Sequence, residues 1–142
     1  MPVLLVRHAD AGHRQTWSGD DAKRPLDDRG RRQAEALVAR LEGREVSRIL
    51  SSPYLRCTQT VEPLALARRL PVEHRQELAE GTPRADVLAL VGELRKDESA
   101  VLSTHGDVVE LLLGRGSEKG STWVLEVDGV KLNPAEYLAP SF

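Results

Sequence analysis

The sequence predicts an α/β fold: a three-layer sandwich with a largely parallel central sheet, helices on both faces and a C-terminal hairpin. Three observations support this prediction. The apolar run at 3–6 is typical of a strand buried on both faces, a second strand is predicted at 46–51, and another buried strand at 100–104. Segments with helical spacing of apolar residues lie between them, and this alternation favours parallel strands joined by crossovers. Near the C-terminus, Asp128-Gly129 is a favoured two-residue hairpin turn.

The first half of the chain contains a strand, a long loop and a helix. The segment 11–28 is polar and rich in Gly, Asp and basic residues, so it is predicted to be a loop. Loops of this length inside a compact domain are usually functional. A helix is predicted at 29–41 because Ala34, Leu37 and Leu41 share one helical face.

The second half begins with a sharp helix start after the strand at 46–51. Ser52 can cap a helix, and Pro53 suits a first turn, so a helix is predicted from there to about Arg69. The remaining predicted elements are a weak strand at 72–75, helices at 86–96 and 107–113, and the hairpin at 122–138.

Size and composition limit the class of protein. A chain of 142 residues with 40% hydrophobic and 30% charged residues fits one globular domain over 1–142. A net charge of −2 argues against binding a nucleic acid polymer or a membrane surface. Cys57 is the only cysteine, which excludes an internal disulfide. With no signal-peptide pattern and no apolar run of membrane-spanning length, a cytoplasmic protein is expected.

Basic residues and histidines follow three of the predicted strands. Arg7 and His8 follow the first strand, Arg56 lies one turn into the next helix, and His105-Gly106 follows the last central strand. The carboxyl ends of parallel strands are where ligands bind in such sheets. Arginine donors match the geometry of phosphate, and helix N-termini favour anions. These residues therefore predict a phosphate pocket.

The same set predicts phosphoryl transfer. A neutral imidazole at His8 is a competent nucleophile toward phosphorus. Arg7, Arg56 and a protonated His105 would stabilise charge on the transferred group. A proton donor for the leaving group is still required, and Glu77, just after the weak third strand, is the first candidate.

Other residues are weaker candidates. Glu80 is the alternative acid. Lys23 and Arg24 belong to the loop that follows His8, so they are predicted to contact substrate. The segment Lys119–Trp123 either contacts phosphate and stacks on a base, or simply packs at the start of the hairpin. The histidines and carboxylates lack metal-ligand spacing, so neither a metal nor another cofactor is expected.

Three segments resemble the histidine phosphatase superfamily, which has the phosphoglycerate-mutase-like fold. Residues 5–10, Leu-Val-Arg-His-Ala-Asp, resemble its Arg-His-Gly signature. Residues 51–60, Ser-Ser-Pro-Tyr-Leu-Arg-Cys-Thr-Gln-Thr, and residues 103–107, Ser-Thr-His-Gly-Asp, match two further motifs of the family in the same order. The resemblance implies that His8 is the phosphorylated nucleophile. It also implies that the phosphate is contacted by Arg7, Arg56 and His105, and that Glu77 is the nearby acid.

Two branches of that family are similar to this sequence. The segment at 24–30 and the short length resemble the SixA-like phosphohistidine phosphatases. The segments at 18–26 and 119–125 resemble the histidine-phosphatase domain fused to some MutT-like Nudix hydrolases.

Only five residues separate Glu77 from Pro83, which leaves no room for a large cap over the pocket. An open pocket favours a phosphoprotein, and specifically a phosphohistidine protein, as substrate. A nucleotide or other small phosphoester is the alternative, and a non-catalytic phosphate-binding module is the third possibility. The oligomeric state is not indicated by the sequence.

Overall fold

The computed structural model describes residues 1–129 and 131–141. The strands in this part of the chain are β1 (Pro2–Arg7), β2 (Arg48–Ser51), β3 (Val72–His74), β4 (Ala100–Thr104), β5 (Thr122–Asp128) and β6 (Lys131–Leu138). The helices are α1 (Asp28–Arg40), α2 (Leu55–Arg68), α3 (Arg84–Gly92) and α4 (Gly106–Leu113). Short 3-10 turns lie at Arg14–Thr16, Asp21–Lys23 and Gln76–Leu78.

All these strands belong to one sheet, in the order β3-β2-β4-β1-β5-β6. Strands β1 to β4 pair in parallel, whereas β5 is antiparallel to β1 and to β6. In the register, Arg7 pairs with Thr104 and Ser51 pairs with Ser103. The carboxyl ends of β1, β2 and β4 are therefore level with one another, which brings the residues that follow them to one edge.

Helices cover both faces of the sheet, so the predicted three-layer α/β architecture is confirmed. On one face, Leu37 of α1 and Leu64 of α2 pack with Leu4 and Val6 of β1. On the other face, Leu90 of α3 and Val109 and Leu112 of α4 pack with Val3, Leu5 and Leu102. Adjacent residues of β1 point to opposite faces and both are buried, which explains its continuous apolar run.

Helix α2 begins later than the sequence predicts. It starts at Leu55, and its N-cap residue is Tyr54, which makes no side-chain capping bond. The prediction that Ser52 caps this helix is wrong, because the Ser52 hydroxyl contacts the imidazole of His105 instead. Pro53 lies before the cap, while Pro63 lies within the helix.

The hairpin is present, but Asp128 belongs to β5 and not to the turn in which it was predicted to lie. Asp128 pairs with Lys131, so Asp128 is the last residue of β5 and the turn begins at Gly129. Gly129 has φ +63°, a conformation that glycine adopts without strain. Among the described residues, no helix is long and apolar enough to cross a membrane.

Candidate active site

His8 is the first residue beyond β1, and its ring is held in one tautomer. Its backbone N–H donates to the Thr104 carbonyl at 2.9 Å. Ring Nδ1 lies 2.8 Å from the Ala9 carbonyl, which can only accept, so Nδ1 carries the proton. Burial is the main reason that the pKa of His8 is lowered to about 3. The imidazole is therefore neutral, and its free lone pair is on Nε2.

Arg7 lies beside His8 with its guanidinium against the start of α4. Arg7 Nη1 donates to the Ser117 carbonyl. A Cβ atom on Gly106 would lie only 2.8 Å from Arg7 Cζ, so this approach requires glycine at the first position of α4. Within the described residues, Arg7 Nε is buried and has no hydrogen-bond partner, which leaves a donor available for an anion.

His105 is the N-cap residue of α4 and lies edge-on to His8, with ring centroids 5.5 Å apart. Its Nε2 lies 2.9 Å from Ser52 Oγ, and its Nδ1 lies 3.3 Å from Glu80 Oε1. Burial lowers the pKa of His105 to about 4, against the opposing effect of Glu80. His105 is therefore neutral at pH 7, whereas a protonated ring was expected from the sequence.

Arg56 is completely buried behind the pocket rather than exposed in it. Its Nη1 donates to the Asp21 backbone carbonyl at 2.8 Å, and Nη2 contacts the carboxylates of Asp21 at 3.0 Å and Glu80 at 2.7 Å. Its guanidinium lies 4.9 Å from the centre of the Tyr54 ring. Among the residues described, Arg56 Nε has no hydrogen-bond partner. The positive charge expected from Arg56 is present, but the carboxylates of Asp21 and Glu80 neutralise it.

Glu80, rather than Glu77, is the carboxylate that contacts His105 at the base of the cleft. A single oxygen, Glu80 Oε1, contacts Arg56, Arg14 at 2.8 Å and His105. Glu77 instead pairs with Arg75 at 2.7 Å, and that hydrogen bond is the main reason that the pKa of Glu77 is lowered. The 3-10 turn after β3 buries Leu78 and turns Glu77 to the outside.

The cleft in front of His8 has a volume of about 650 Å³. One wall is formed by the loop after β1, and the other by α4 and the segment before β5. The residues of the two walls are Gly12, His13, Arg14, Gln15 and Arg24 on one side, and Gly106, Asp107, Glu110, Gly116, Ser117 and Lys119 on the other; His8, Arg7, Glu80 and His105 form the base.

The two basic residues predicted from the loop differ in position. Arg24 is buried in the wall, where Nη1 donates to the Ala11 carbonyl at 2.6 Å and Nε contacts Asp21 at 3.0 Å. Lys23 is exposed and does not line the cleft, because the 3-10 turn Asp21–Lys23 directs it to the surface. The prediction that Lys23 contacts substrate is not supported by this geometry.

The segment before β5 is fixed to the base of the cleft. The Gly120 N–H donates to the carbonyls of Arg7 and His8 at 3.1 and 3.0 Å, and Lys119 lines the cleft. Trp123 lies on β5 and packs on Tyr137 of β6, with ring centroids 4.7 Å apart. Of the two alternatives for this segment, Trp123 therefore packs in the hairpin.

Several residues that shape the site were not predicted. Asp21 contacts both Arg56 and Arg24. Thr60 Oγ1 accepts from the Ala9 N–H and donates to the Arg56 carbonyl, which ties the loop after β1 to α2. Thr60 lies in the motif at 51–60, but its partners are far away in sequence and only the fold reveals them. No three His, Cys, Asp or Glu side chains of the described residues converge as metal ligands.

Comparison with known proteins identifies the family. A model of the histidine phosphatase superfamily (branch 1) matches residues 3–82. The chain belongs to the histidine phosphatase superfamily. The solved structure of the protein histidine phosphatase SixA, complexed with tungstate, superimposes on this phosphatase domain with a TM-score of 0.83 and 25% identity, over 98% of this chain and 97% of SixA.

Two curated relatives extend the comparison. An 8-oxo-(d)GTP phosphatase of Mycolicibacterium smegmatis is 38% identical over 157 aligned positions, which cover 97% of this chain and 48% of that protein. Phosphohistidine phosphatase SixA of Escherichia coli is 35% identical over 89 positions, which cover 61% of this chain and 53% of SixA. The chain thus spans about half the length of the curated relatives it matches, and it has the fold of the SixA-like branch.

Proposed function

We propose that this histidine phosphatase transfers a phosphoryl group to Nε2 of His8 and then to water, without a metal ion. One observation carries the proposal. The only ring proton of a neutral His8 is used by the Ala9 carbonyl, which leaves the nucleophilic lone pair on Nε2 in a cleft lined with arginine and histidine.

The first step forms a P–N bond at His8 and breaks the bond between phosphorus and the leaving oxygen. Arg7, Arg56 and His105 donate hydrogen bonds to the oxygens of the transferred group and so stabilise its charge. Glu80, in its protonated form, gives a proton to the leaving oxygen. Its position beside both Arg56 and His105 supports this role better than the position of Glu77.

The second step reverses these roles. The Glu80 carboxylate takes a proton from water, the water oxygen attacks phosphorus, and the P–N bond breaks to release inorganic phosphate and neutral His8. In the ligand-free cleft Glu80 Oε1 contacts Arg56 and His105, so a phosphate must displace it to reach both donors. The displaced carboxylate then remains beside the bound group.

The shape of the cleft favours a small phosphorylated molecule of nucleotide size as substrate. Arg14 reaches from the loop after β1 to Glu80 and lines one side of the cleft. Lys119 lines the opposite wall. The 38% identity with an 8-oxo-(d)GTP phosphatase over 97% of this chain supports the same substrate class.

A phosphohistidine protein is the second candidate. The similarity to SixA in sequence and in fold supports it. So does the short connection from β3 to α3, which adds only the 3-10 turn Gln76–Leu78 beside the cleft. Neither substrate requires a nucleic acid polymer or a membrane, and the cytoplasmic location stays a prediction from the sequence.

A substrate panel tests the proposal. Release of phosphate is measured, with a chelator present, from nucleoside mono- and diphosphates, sugar phosphates, 4-nitrophenyl phosphate and a phosphohistidine carrier protein. We expect turnover that falls at least about a thousandfold in His8→Ala. His74→Ala is the matched control, because His74 is exposed and lies outside the cleft. Phosphate binding without turnover would indicate the non-catalytic module, and a strict metal requirement would contradict the mechanism.

A further inference from the structure

We propose that Ser52 is a positioning residue for His105: its hydroxyl donates to Nε2, fixes the proton of the neutral ring on Nδ1, and thereby aims an N–H donor at the phosphate. The effect on turnover rests on the function proposed above. The hydrogen-bond assignment does not, because it concerns the ligand-free protein alone.

The contact between Ser52 and His105 is short, and both side chains are buried. Ser52 Oγ lies 2.9 Å from His105 Nε2. Ser52 is 0% exposed and His105 is 1% exposed, so water does not compete for either group. Buried polar groups are nearly always hydrogen-bonded, so each of these two groups needs the other as a partner.

The other ring nitrogen decides which group donates. His105 Nδ1 lies 3.3 Å from Glu80 Oε1, and a carboxylate oxygen can only accept. A lone pair on Nδ1 would face that negative charge, whereas an N–H there is attracted to it. The proton of neutral His105 is thus on Nδ1, and Nε2 must accept from Ser52.

The surroundings of Ser52 agree with this direction. The Tyr54 backbone N–H donates to Ser52 Oγ at 3.3 Å, so the hydroxyl proton is free to point at the imidazole. The Cys57 thiol also lies near, 3.4 Å from His105 Nε2. Burial raises the pKa of Cys57 to about 12, so this group is a neutral thiol and only a weak donor or acceptor. The serine is therefore the strong donor to Nε2.

The consequence for catalysis follows from the position of Glu80. When a phosphate displaces the Glu80 carboxylate, the Nδ1–H of His105 donates to a phosphoryl oxygen in its place. Without Ser52 the ring can instead protonate Nε2 and turn a lone pair toward the phosphate, which repels it. Ser52 would thus act on the reaction through His105, without touching the substrate.

The wild-type protein gives the first test. Long-range ¹H–¹⁵N NMR spectra of the ligand-free protein distinguish the two tautomers, and the His105 signals are assigned by their loss in His105→Gln. We expect Nδ1 to be protonated and Nε2 to be unprotonated at pH 7. A proton on Nε2 would overturn the proposal, and this measurement needs no variant of Ser52 to fold.

A pair of serine variants gives the second test. In Ser52→Ala we expect the Nε2–H tautomer to appear and kcat for 4-nitrophenyl phosphate to fall roughly tenfold to a hundredfold, the size of loss seen when a partner that orients a metal-bound histidine is removed. Ser51→Ala is the control, because this neighbouring buried hydroxyl donates to the Ser52 carbonyl at 2.8 Å and not to His105. Equal losses in the two variants would show that packing alone is responsible and would overturn the proposal.

A wild-type protein that has the Nδ1–H tautomer but no activity would refute the proposed function and leave the assignment of Ser52 intact.

Discussion

Single residues decide whether the donors of the cleft reach a phosphate. Gly106 is such a residue, because an added Cβ would lie 2.8 Å from both Cζ and Nε of Arg7. Arg7 has little freedom to retreat, since its Nη1 is bound to the Ser117 carbonyl. Gly106→Ala should therefore move the guanidinium and lower kcat/KM roughly tenfold to a hundredfold, as small misplacements of catalytic groups do. Steady-state kinetics with 4-nitrophenyl phosphate measure this loss.

Gly92→Ala is the matched control for that substitution. Gly92 ends α3, has no positive φ, and would place its Cβ with no atom within 4 Å. Its kcat/KM should stay within about twofold of wild type, because the change lies outside the cleft. Unchanged kinetics in Gly106→Ala would contradict the close approach of Arg7 to α4.

At this scale the sequence predicted residue types better than residue positions. Arg7, His8, His105 and Gly106 lie at the cleft as expected, because strand ends and helix starts follow from local patterns. Glu80, and not the first candidate Glu77, contacts His105, because the 3-10 turn Gln76–Leu78 directs Glu77 away from the cleft. Such a turn is set by the burial of its neighbours, which no local pattern reveals.

Hydrogen bonds between elements hold the loop after β1 in place. Thr60 of α2 accepts from the Ala9 N–H at 2.9 Å and donates to the Arg56 carbonyl at 2.7 Å. Thr60→Val keeps the volume but leaves a buried N–H without a partner. We expect the free energy of unfolding to fall by about 1–3 kcal/mol, and urea titration measures this.

Thr58→Val on the same helix is the control for Thr60→Val. Thr58 is half-buried, and its hydroxyl contacts the Ser52 carbonyl at 3.4 Å and the exposed imidazole of His74 at 3.2 Å, but no buried backbone N–H. Thr58→Val should change the free energy of unfolding by no more than about 0.5 kcal/mol, as most surface substitutions do. A loss as large as that of Thr60→Val would mean that the Ala9 hydrogen bond does not carry the effect.

Asp27 joins the start of α1 to the same loop. Its Oδ1 caps the helix by accepting from the Gly30 N–H at 2.8 Å, and its Oδ2 accepts from the Gly12 N–H at 3.1 Å. Asp27→Ala should cost about 1–2 kcal/mol in urea unfolding and raise KM, because Gly12 lines the cleft. Asp28→Ala, an exposed neighbour in the first turn, should leave KM unchanged. Equal KM values for the two variants would refute the link between the cap and the cleft.

Element types were predictable where the central strands are buried on both faces and where α1 and α4 are amphipathic. Strands β1 and β4 coincide closely with their apolar runs. The start of α2 was not predictable from Ser52-Pro53, since the Ser52 hydroxyl contacts the ring of His105, which lies 53 positions away in the sequence. The antiparallel pairing of β5 with β1 likewise depends on contacts that are remote in sequence.

The whole molecule has two neutral buried histidines, which link stability to pH. The pKa values of His8 and His105 are lowered to about 3 and about 4, whereas the unfolded chain binds these protons near pH 6.5. Protons therefore favour the unfolded state, and stability is lost as pH falls below 6.5. Between pH 7 and pH 5 we expect a loss of about 2 kcal/mol for each histidine, measured by urea titration.

The double variant His8→Asn, His105→Gln is the control for this pH dependence. Its unfolding free energy should change much less between pH 7 and pH 5, because the two titrating rings are absent. The carboxylates are common to both proteins and titrate mainly below this range. A wild-type curve that is flat over this range would show that the rings are not held neutral by burial.

The proposed mechanism requires that Nε2 of His8 becomes phosphorylated, and direct trapping of the adduct tests this requirement. The protein is mixed with ³²P-labelled substrate, quenched in alkali within milliseconds, and mapped by peptide mass spectrometry. We expect an adduct on the peptide containing His8 that survives alkali, is lost in acid and does not form in His8→Ala. Turnover with no adduct on His8, or an adduct on another residue, would contradict it.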